Sequence, residues 1–140
     1  MSTRKLLLID DEDDIREVAS LTLETAGGFE VITASCGKAG VARAAAEQPD
    51  AILLDVMMPD MDGPSTLRQL QECAETRSIP VVFLTAKVLA ADRRKLAGLG
   101  VRGIIAKPFD PLRLGADLLS ILGWNDPPSS LTGKSERETC

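Results

Sequence analysis

The chain has 140 residues and a formal net charge of −5, and hydrophobic residues make up 44% of it. This length and composition predict one globular domain and exclude a fibrous or disordered protein. The acidic balance also argues against a general binder of nucleic acid, because such proteins usually present a positive face to phosphates. The short basic cluster at residues 93–95 is interpreted as a solvated helix face.

Short apolar runs alternate with segments of helical periodicity along the whole chain. The runs typical of buried strands are RKLLLI (4–9), FEVITA (29–34), AILLD (51–55), PVVFLT (80–85) and VRGIIA (101–106). Each run is followed by a predicted helix. The first helix is predicted to end at Gly27-Gly28, and the second to cover about Lys38 to Glu47. The third is predicted to begin at Pro64, the fourth to pass from Leu89 to Gly98, and the fifth to begin at Pro111.

Strands and helices that alternate with short loops predict a parallel sheet with helices on both faces, because crossovers between parallel strands are right-handed. The expected fold is a doubly wound α/β sandwich of five strands and five helices. From residue 124 onward the sequence turns polar and contains Pro127-Pro128. We therefore expect one domain over residues 1–123 and a flexible polar tail over residues 124–140.

The cysteines and the apolar runs bear on where the protein resides. Cys36, Cys73 and Cys140 are widely spaced and form no CxxC pair, which suits reduced thiols in the cytosol. The apolar run at residues 6–9 is too short for the core of a signal peptide, and no stretch is long enough to span a membrane. A cytoplasmic protein without membrane association is expected.

Candidate site residues stand at the ends of four of the five predicted strands, while the second ends in the ordinary Ser35. Asp10 and Asp11 follow the first strand, Asp55 ends the third, Thr85 ends the fourth and Lys107 follows the fifth. Each has an ordinary explanation on its own: an aspartate that caps a helix, a strand threonine, a surface lysine. Together they point to a site, because ligands of such sheets bind at the carboxyl ends of the strands.

The chemistry of this set favours a metal ion and a phosphoryl group. Three neighbouring carboxylates repel one another; Lys107 can offset one charge, and Mg²⁺ prefers carboxylate oxygens together with a phosphoryl oxygen. Asp55 can act as a nucleophile that forms an aspartyl-phosphate, which Lys107 and the Thr85 hydroxyl would then neutralise and hydrogen-bond. The chain has no histidine, so it cannot carry the phosphoryl group on an imidazole of its own.

The motifs IDDEDD, LLDVMMPDMDG, FLTA and AKPF, in this order and spacing, resemble the receiver domain of two-component response regulators over about residues 4–122. The resemblance implies a stand-alone receiver with a flavodoxin-like fold and the strand order 2-1-3-4-5. It implies that Asp55 is the phosphoacceptor and that Asp10, Asp11 and Asp55 hold Mg²⁺, with Mn²⁺ as an alternative. The main-chain carbonyl of Met57 would complete the protein ligands.

The same resemblance implies that Thr85 and Lys107 contact the phosphoryl group, with a cis bond between Lys107 and Pro108. Thr85 would also act as a switch together with the residue three positions before the lysine. That residue is Ile104, where receivers commonly carry an aromatic ring. An isoleucine has no ring to swing, so a readout by a rotating aromatic side chain is not expected.

The function implied is that of a response regulator in two-component signal transduction. A sensor histidine kinase or a histidine-phosphotransfer protein would donate the phosphoryl group, and modification would switch the binding of a downstream protein. The chain would not be an enzyme, beyond assisting its own phosphorylation and dephosphorylation, and would not bind DNA directly. Whether it binds an effector or serves as a phosphate shuttle or sink is left open by the sequence.

A phosphatase of the haloacid-dehalogenase kind is an alternative interpretation. Asp11 and Asp13 would be its paired aspartates, with Thr85 and Lys107 at later strand ends. Against it, the acidic pair expected after Lys107 is missing and the chain is too short for a cap domain.

Two further motifs fail on inspection. A dinucleotide-binding module needs a glycine-rich turn after the first strand, where this chain has acids. A calcium loop is suggested by residues 60–63, but Met58 and Gln69 then occupy positions that need Asp and Glu.

Overall fold

The computed structural model describes residues 4–25, 28–86 and 89–124, and a sheet of five parallel strands lies at its centre. The strands are β1 (Lys5–Ile9), β2 (Glu30–Ala34), β3 (Ala51–Asp55), β4 (Val81–Thr85) and β5 (Gly103–Ala106). Their order is β2-β1-β3-β4-β5, and every neighbouring pair is parallel. The fold class and the strand order are therefore confirmed.

Helices cover both faces of this sheet. They are α1 (Asp13–Thr25), α2 (Gly37–Glu47), α3 (Gly63–Glu72), α4 (Ala90–Ala97) and α5 (Leu114–Leu122). The buried side chains of α1 and α5 belong to one hydrophobic cluster, and those of α2, α3 and α4 belong to the other. Each strand thus lies between two helical layers, as a doubly wound sandwich requires.

Strand β1 shows why its sequence is continuously apolar after Lys5. Leu6 and Leu8 pack in the cluster on the α1 and α5 side, while Leu7 and Ile9 pack in the cluster on the other side, and all four are fully buried. Successive side chains of a strand point to opposite faces, so a strand covered on both sides needs a continuous apolar run. The first polar side chain after Lys5 comes only where the strand has ended, at Asp10.

The first turn of α3 packs directly on the end of β3. Gly63 donates its main-chain hydrogen bond to the carbonyl of Val56 at 2.8 Å. A Cβ at Gly63 would lie 2.7 Å from the carbonyl oxygen of Asp55 and 2.7 Å from Cα of Val56, so only glycine fits. Asp62 caps the helix, its Oδ1 accepting from the main-chain N–H of Ser65 at 2.9 Å. The close packing of Gly63 on Asp55 and Val56 holds the main chain at the end of β3 in place.

The prediction that the last helix begins at Pro111 was wrong, because α5 begins at Leu114. A turn precedes it, and Asp110 holds that turn. Oδ1 of Asp110 accepts from the N–H of Leu112 at 2.9 Å, and its carbonyl accepts from the N–H of Arg113 at 2.9 Å. The same carbonyl also accepts from the N–H of Leu114 at 3.0 Å, so this turn leads directly into the helix.

Trp124 packs at the amino ends of β1 and β2, whereas Asp10 lies at the carboxyl end of β1. Its ring centroid lies 4.2 Å from the guanidinium carbon of Arg4 and 6.5 Å from the ring centroid of Phe29. Trp124 therefore packs on the domain. The rest of the predicted tail, residues 125–140, lies outside the described residues, as does Gly27 at the predicted end of the first helix.

Candidate functional site

Three aspartates meet at the carboxyl ends of two neighbouring strands. Ile9 of β1 is in register with Leu54 of β3, so Asp10 and Asp55, the next residues along the two strands, come side by side. One carboxylate oxygen from each of Asp10, Asp11 and Asp55 lies within 4.8 Å of the others. These acids converge, as predicted, because the two strands run parallel and end at the same level.

Lys107 reaches the same point from β5. Its Nζ lies 3.1 Å from Oδ2 of Asp10 and 3.4 Å from Oδ1 of Asp55. Its main-chain N–H donates to the carbonyl of Thr85 at 2.8 Å. The bond from Lys107 to Pro108 is cis, as the sequence resemblance implied.

Thr85 ends β4 and is fully buried. Leu84, the residue before it, is in register with Asp55, and Thr85 itself is in register with Ala106, the residue before Lys107. The threonine thus sits between the strand of the aspartate and the strand of the lysine. All of the predicted strand-end residues are brought to one edge of the sheet.

Burial makes the acids of this site hard to ionise. It raises the pKa of Asp55 to about 6 from the ordinary value of 3.8; the negative charge of Asp10 adds to the rise, and Lys107 opposes it. Burial also raises the pKa of Asp10, although hydrogen bonds from the N–H of Glu12 and from Lys107 counteract part of that effect. The pocket therefore favours any ligand that supplies positive charge.

Lys107 remains charged in this setting. Burial acts to lower its pKa, but the hydrogen bonds to Glu12 and Asp10 and the charges of Asp10 and Asp55 together raise it above its ordinary value. The ammonium offsets only part of the local negative charge, since Lys107 pairs with Asp10 and Asp55 while Asp11 adds a third carboxylate to the cluster.

The acidic cluster fits a bound metal ion. Oδ2 of Asp55 is buried and has no hydrogen-bond partner within the described part of the chain. Buried carboxylate oxygens almost always have a partner, so this atom is suited to a ligand that the protein does not itself provide. A set of three carboxylates is the oxygen-rich kind that hard divalent cations prefer.

Met57 and Ile104, the two remaining predicted site residues, lie beside this centre in different ways. Met57 donates its main-chain N–H to Oδ1 of Asp55 at 3.4 Å, and its side chain is exposed. Ile104 is half-buried, in register with Phe83, and packs against the hydrophobic cluster on the α4 side of the sheet.

Glu12 is a member of the site that the sequence interpretation missed. Its Oε1 accepts a hydrogen bond from Nζ of Lys107 at 3.0 Å, and its main-chain N–H donates to Oδ1 of Asp10 at 2.9 Å. The only signal for it in the sequence is its place in the acidic run at residues 10–14. That run does not tell which acid turns back toward the fifth strand.

Comparison with known proteins identifies the family. Residues 6–118 match the response regulator receiver domain. The match spans nearly the whole described fold, and the chain therefore belongs to the receiver domains of response regulators.

Individual relatives agree with this assignment. The alkaline phosphatase synthesis transcriptional regulatory protein PhoP of Bacillus subtilis is 36% identical over 137 residues, which cover 96% of this chain and 56% of that protein. The response regulator PleD of Caulobacter vibrioides is 42% identical over 122 residues, covering 86% of this chain and 26% of that protein. The chain thus spans about half the length, or less, of such curated relatives.

Solved structures give the same fold. The chemotaxis protein CheY4 of Vibrio cholerae superposes with a TM-score of 0.79 at 31% identity, covering 86% of this chain and 99% of that one. The receiver domain of the sensor histidine kinase PA1611 of Pseudomonas aeruginosa superposes with a TM-score of 0.77 at 30% identity, covering 87% of this chain and 99% of that one. That structure has a magnesium ion coordinated in its active site cleft.

Family membership establishes a two-component response regulator receiver domain and excludes the haloacid-dehalogenase interpretation. Among the described residues, no helix is long and apolar enough to cross a membrane.

Proposed function

We propose that this receiver accepts a phosphoryl group on Asp55 in a Mg²⁺-dependent reaction and thereby switches the binding of a partner protein. The observation that carries the proposal is the buried Oδ2 of Asp55, which lacks a hydrogen-bond partner in the described chain and lies beside two further carboxylates and an ammonium. An atom so placed is suited to a nucleophile whose charge is balanced only when a cation arrives.

In the proposed reaction a carboxylate oxygen of Asp55 attacks the phosphorus of the donor. A new P–O bond forms, the bond from phosphorus to the donor breaks, and the donor leaves with the electron pair of that bond. Lys107 and the hydroxyl of Thr85 would donate hydrogen bonds to the phosphoryl oxygens, where charge accumulates during transfer.

Asp10, Asp11 and Asp55 would hold Mg²⁺, or Mn²⁺, together with the main-chain carbonyl of Met57. The bound ion would supply positive charge to the phosphoryl oxygens and screen the mutual repulsion of the carboxylates. The protein would assist its own modification and the later hydrolysis of the aspartyl-phosphate without acting on a separate substrate.

Thr85 and Ile104 would carry the change to the surface. Thr85 ends β4, and Ile104 lies on the neighbouring β5, one residue before Ile105, the register partner of Leu84. A shift of Thr85 toward a phosphoryl group would therefore act on the strand that carries Ile104. Because isoleucine has no ring, the readout would be a displacement of backbone and packing.

The donor would be a sensor histidine kinase or a histidine-phosphotransfer protein, and the location cytoplasmic, in keeping with the reduced thiols expected from the cysteine spacing. The output would be a protein contact and would not be direct DNA binding, because the chain is acidic overall. We propose residues 1–123 as the receiver domain and residues 124–140 as its tail, whose first residue, Trp124, packs on the domain.

The test is the intact mass of the protein after incubation with acetyl phosphate and Mg²⁺. We expect the wild type to gain one phosphoryl group, with acetate as the other product. The variant Asp55→Asn and a sample treated with a chelator should gain none. A wild type that stays unmodified while folded would refute the proposal, and a modified Asp55→Asn variant would move the acceptor to another residue.

A further inference from the structure

The ammonium of Lys107 is shared among three carboxylates. Its Nζ lies 3.0 Å from Oε1 of Glu12, 3.1 Å from Oδ2 of Asp10 and 3.4 Å from Oδ1 of Asp55. The contact to Glu12 is a hydrogen bond, whereas the contacts to Asp10 and Asp55 are ion pairs, and Oδ2 of Asp10 lacks a well-directed hydrogen bond within the described chain. A fourth acceptor would compete with these carboxylates for the ammonium.

A phosphoryl group on Asp55 would be that fourth acceptor, and here the inference rests on the proposed function. The three carboxylates differ in how easily they can release the lysine. Asp10 and Asp55 are 0% and 1% exposed, so separation from Lys107 would leave a buried charge without its partner. The side chain of Glu12 is 59% exposed, so water can replace the lysine there.

The main chain of Glu12 is held by two hydrogen bonds, whereas its carboxylate contacts only Lys107 among the described residues. Its main-chain N–H donates to Oδ1 of Asp10 at 2.9 Å, and its carbonyl accepts from the N–H of Arg16 at 3.1 Å. The contact to Lys107 is made by the side chain alone. Rotation of that side chain would break the contact without moving the acidic pocket or the start of α1.

We propose that Glu12 is a positioning residue that occupies Lys107 while Asp55 is unmodified and is displaced when a phosphoryl group arrives. Glu12 then acts as an internal competitor: it holds the ammonium over the pocket and lowers the affinity for the incoming anion. The competition is weak, since an ion pair with one exposed partner contributes little. Removal of the Glu12 charge should raise the affinity of the protein for a phosphoryl-like anion about two- to fivefold.

The experiment measures the dissociation constant of beryllium trifluoride, a stand-in for a phosphoryl group, by ¹⁹F NMR at saturating Mg²⁺. The variants are Glu12→Gln, which removes the charge, and Glu12→Asp, which keeps the charge but shortens the side chain by one methylene. Glu17→Gln is the matched control, because Glu17 is an exposed glutamate of α1 that lies beyond the site. We expect tighter binding by both Glu12 variants and no change for Glu17→Gln.

The acetyl phosphate assay on the wild type separates the two proposals. If the wild type is phosphorylated but Glu12→Gln binds beryllium trifluoride no more tightly, only the role of Glu12 is overturned. The same holds if Glu12→Asp behaves as the wild type, because a long-range field would then explain the effect of Glu12→Gln. A wild type that neither accepts a phosphoryl group nor binds the probe overturns both.

Discussion

At the scale of single residues, Asp55 places a carboxyl group where the protein does little to stabilise its charge. The side chain is 1% exposed, and its nearest cation, Lys107, is shared with Asp10 and Glu12. A buried acid whose pKa is raised to about 6 opposes folding whenever it is ionised. The strain is local and is relieved either by a proton or by a metal ion.

This electrostatic strain predicts a pH dependence for the metal-free protein. The folded state binds the Asp55 proton more tightly than the unfolded state, so this stabilising contribution is complete below the ordinary value of 3.8 and is lost as pH rises through about 6. Asp55→Asn removes the ionisation and should raise the free energy of unfolding at pH 7 by about 1–3 kcal/mol. Urea unfolding of the wild type and of Asp55→Asn across pH 4–8, in the presence of a chelator, measures this free energy and its pH dependence.

Asp60→Asn is the control for that measurement, since Asp60 is an exposed acid close to Asp55 in the same stretch of chain. It should leave both the stability and its pH dependence nearly unchanged. A strongly destabilised Asp55→Asn would mean that the carboxylate of Asp55 holds the fold together, contrary to the charge argument.

At the scale of elements, the contact between α3 and β3 depends on the absence of one side chain. Gly63→Ala would bring a methyl group to 2.7 Å from backbone atoms of Asp55 and Val56, which cannot rotate away. We expect a loss of about 1–3 kcal/mol in the free energy of unfolding, the usual result of overpacking. Thermal or urea unfolding of the variant tests this.

Gly98→Ala serves as the comparison for Gly63→Ala. A Cβ at Gly98 would meet its nearest atoms at 3.6 Å, which is ordinary contact, and the backbone there has φ −75°. Alanine should therefore be tolerated at the end of α4. Equal effects of the two substitutions would show that the close approach at Gly63 is relieved elsewhere.

Helix α4 is the least firmly attached of the helices within the described residues. Leu96 is its single buried residue, whereas α3 buries Gly63, Thr66, Leu67 and Leu70. Leu89, the residue at the N-cap position of α4, provides no side-chain hydrogen bond to the first turn. Few buried contacts leave an element open to local unfolding.

We therefore expect the main-chain amides of α4 to exchange with solvent faster than those of α3 under native conditions, because opening α4 exposes one apolar side chain. Native-state hydrogen exchange followed by NMR measures the two helices in one sample. Equal protection of α4 and α3 would contradict the attachment argument.

At the scale of the whole molecule, the acidic site links metal binding to stability. A ligand that binds only the folded state at ten times its dissociation constant stabilises that state by about 1.4 kcal/mol. We expect Mg²⁺ to raise the unfolding midpoint accordingly. The ion would neutralise part of the charge of the three carboxylates, including that of Asp55, whose Oδ2 has no hydrogen-bond partner among the described residues.

The control is a monovalent salt at the same ionic strength, which screens the repulsion without coordinating to the carboxylates. It should give a smaller shift, and a chelator should abolish the effect of Mg²⁺. A melt that Mg²⁺ leaves unchanged would argue against a preformed metal pocket.

Most of the fold could be predicted from the sequence because the central strands β1, β3 and β4 are buried on both faces and therefore consist almost entirely of apolar residues. The convergence of Asp10, Asp55, Thr85 and Lys107 could also be predicted, because a parallel sheet brings its strand ends to one edge. Glu12 could not be found this way, since its role depends on how a loop turns and on a lysine 95 residues away.

The start of α5 was mispredicted because residues 111–113 form a turn, closed by hydrogen bonds to the side chain and the carbonyl of Asp110, before the helix begins. The extent of that turn depends on local geometry that composition does not encode. The packing of Trp124, the first residue of the proposed tail, on Arg4 and Phe29 was likewise not predicted from the polar composition of that segment.

The packing of Trp124 also gives the protein a natural optical probe. It is the single tryptophan of the chain, and its indole touches residues next to the amino ends of β1 and β2, whereas the acidic cluster lies at the carboxyl ends of β1 and β3. Its fluorescence should follow the loss of the fold while staying silent when the distant pocket fills. The emission intensity of Trp124 can therefore monitor unfolding in every variant above without interference from metal or phosphoryl occupancy.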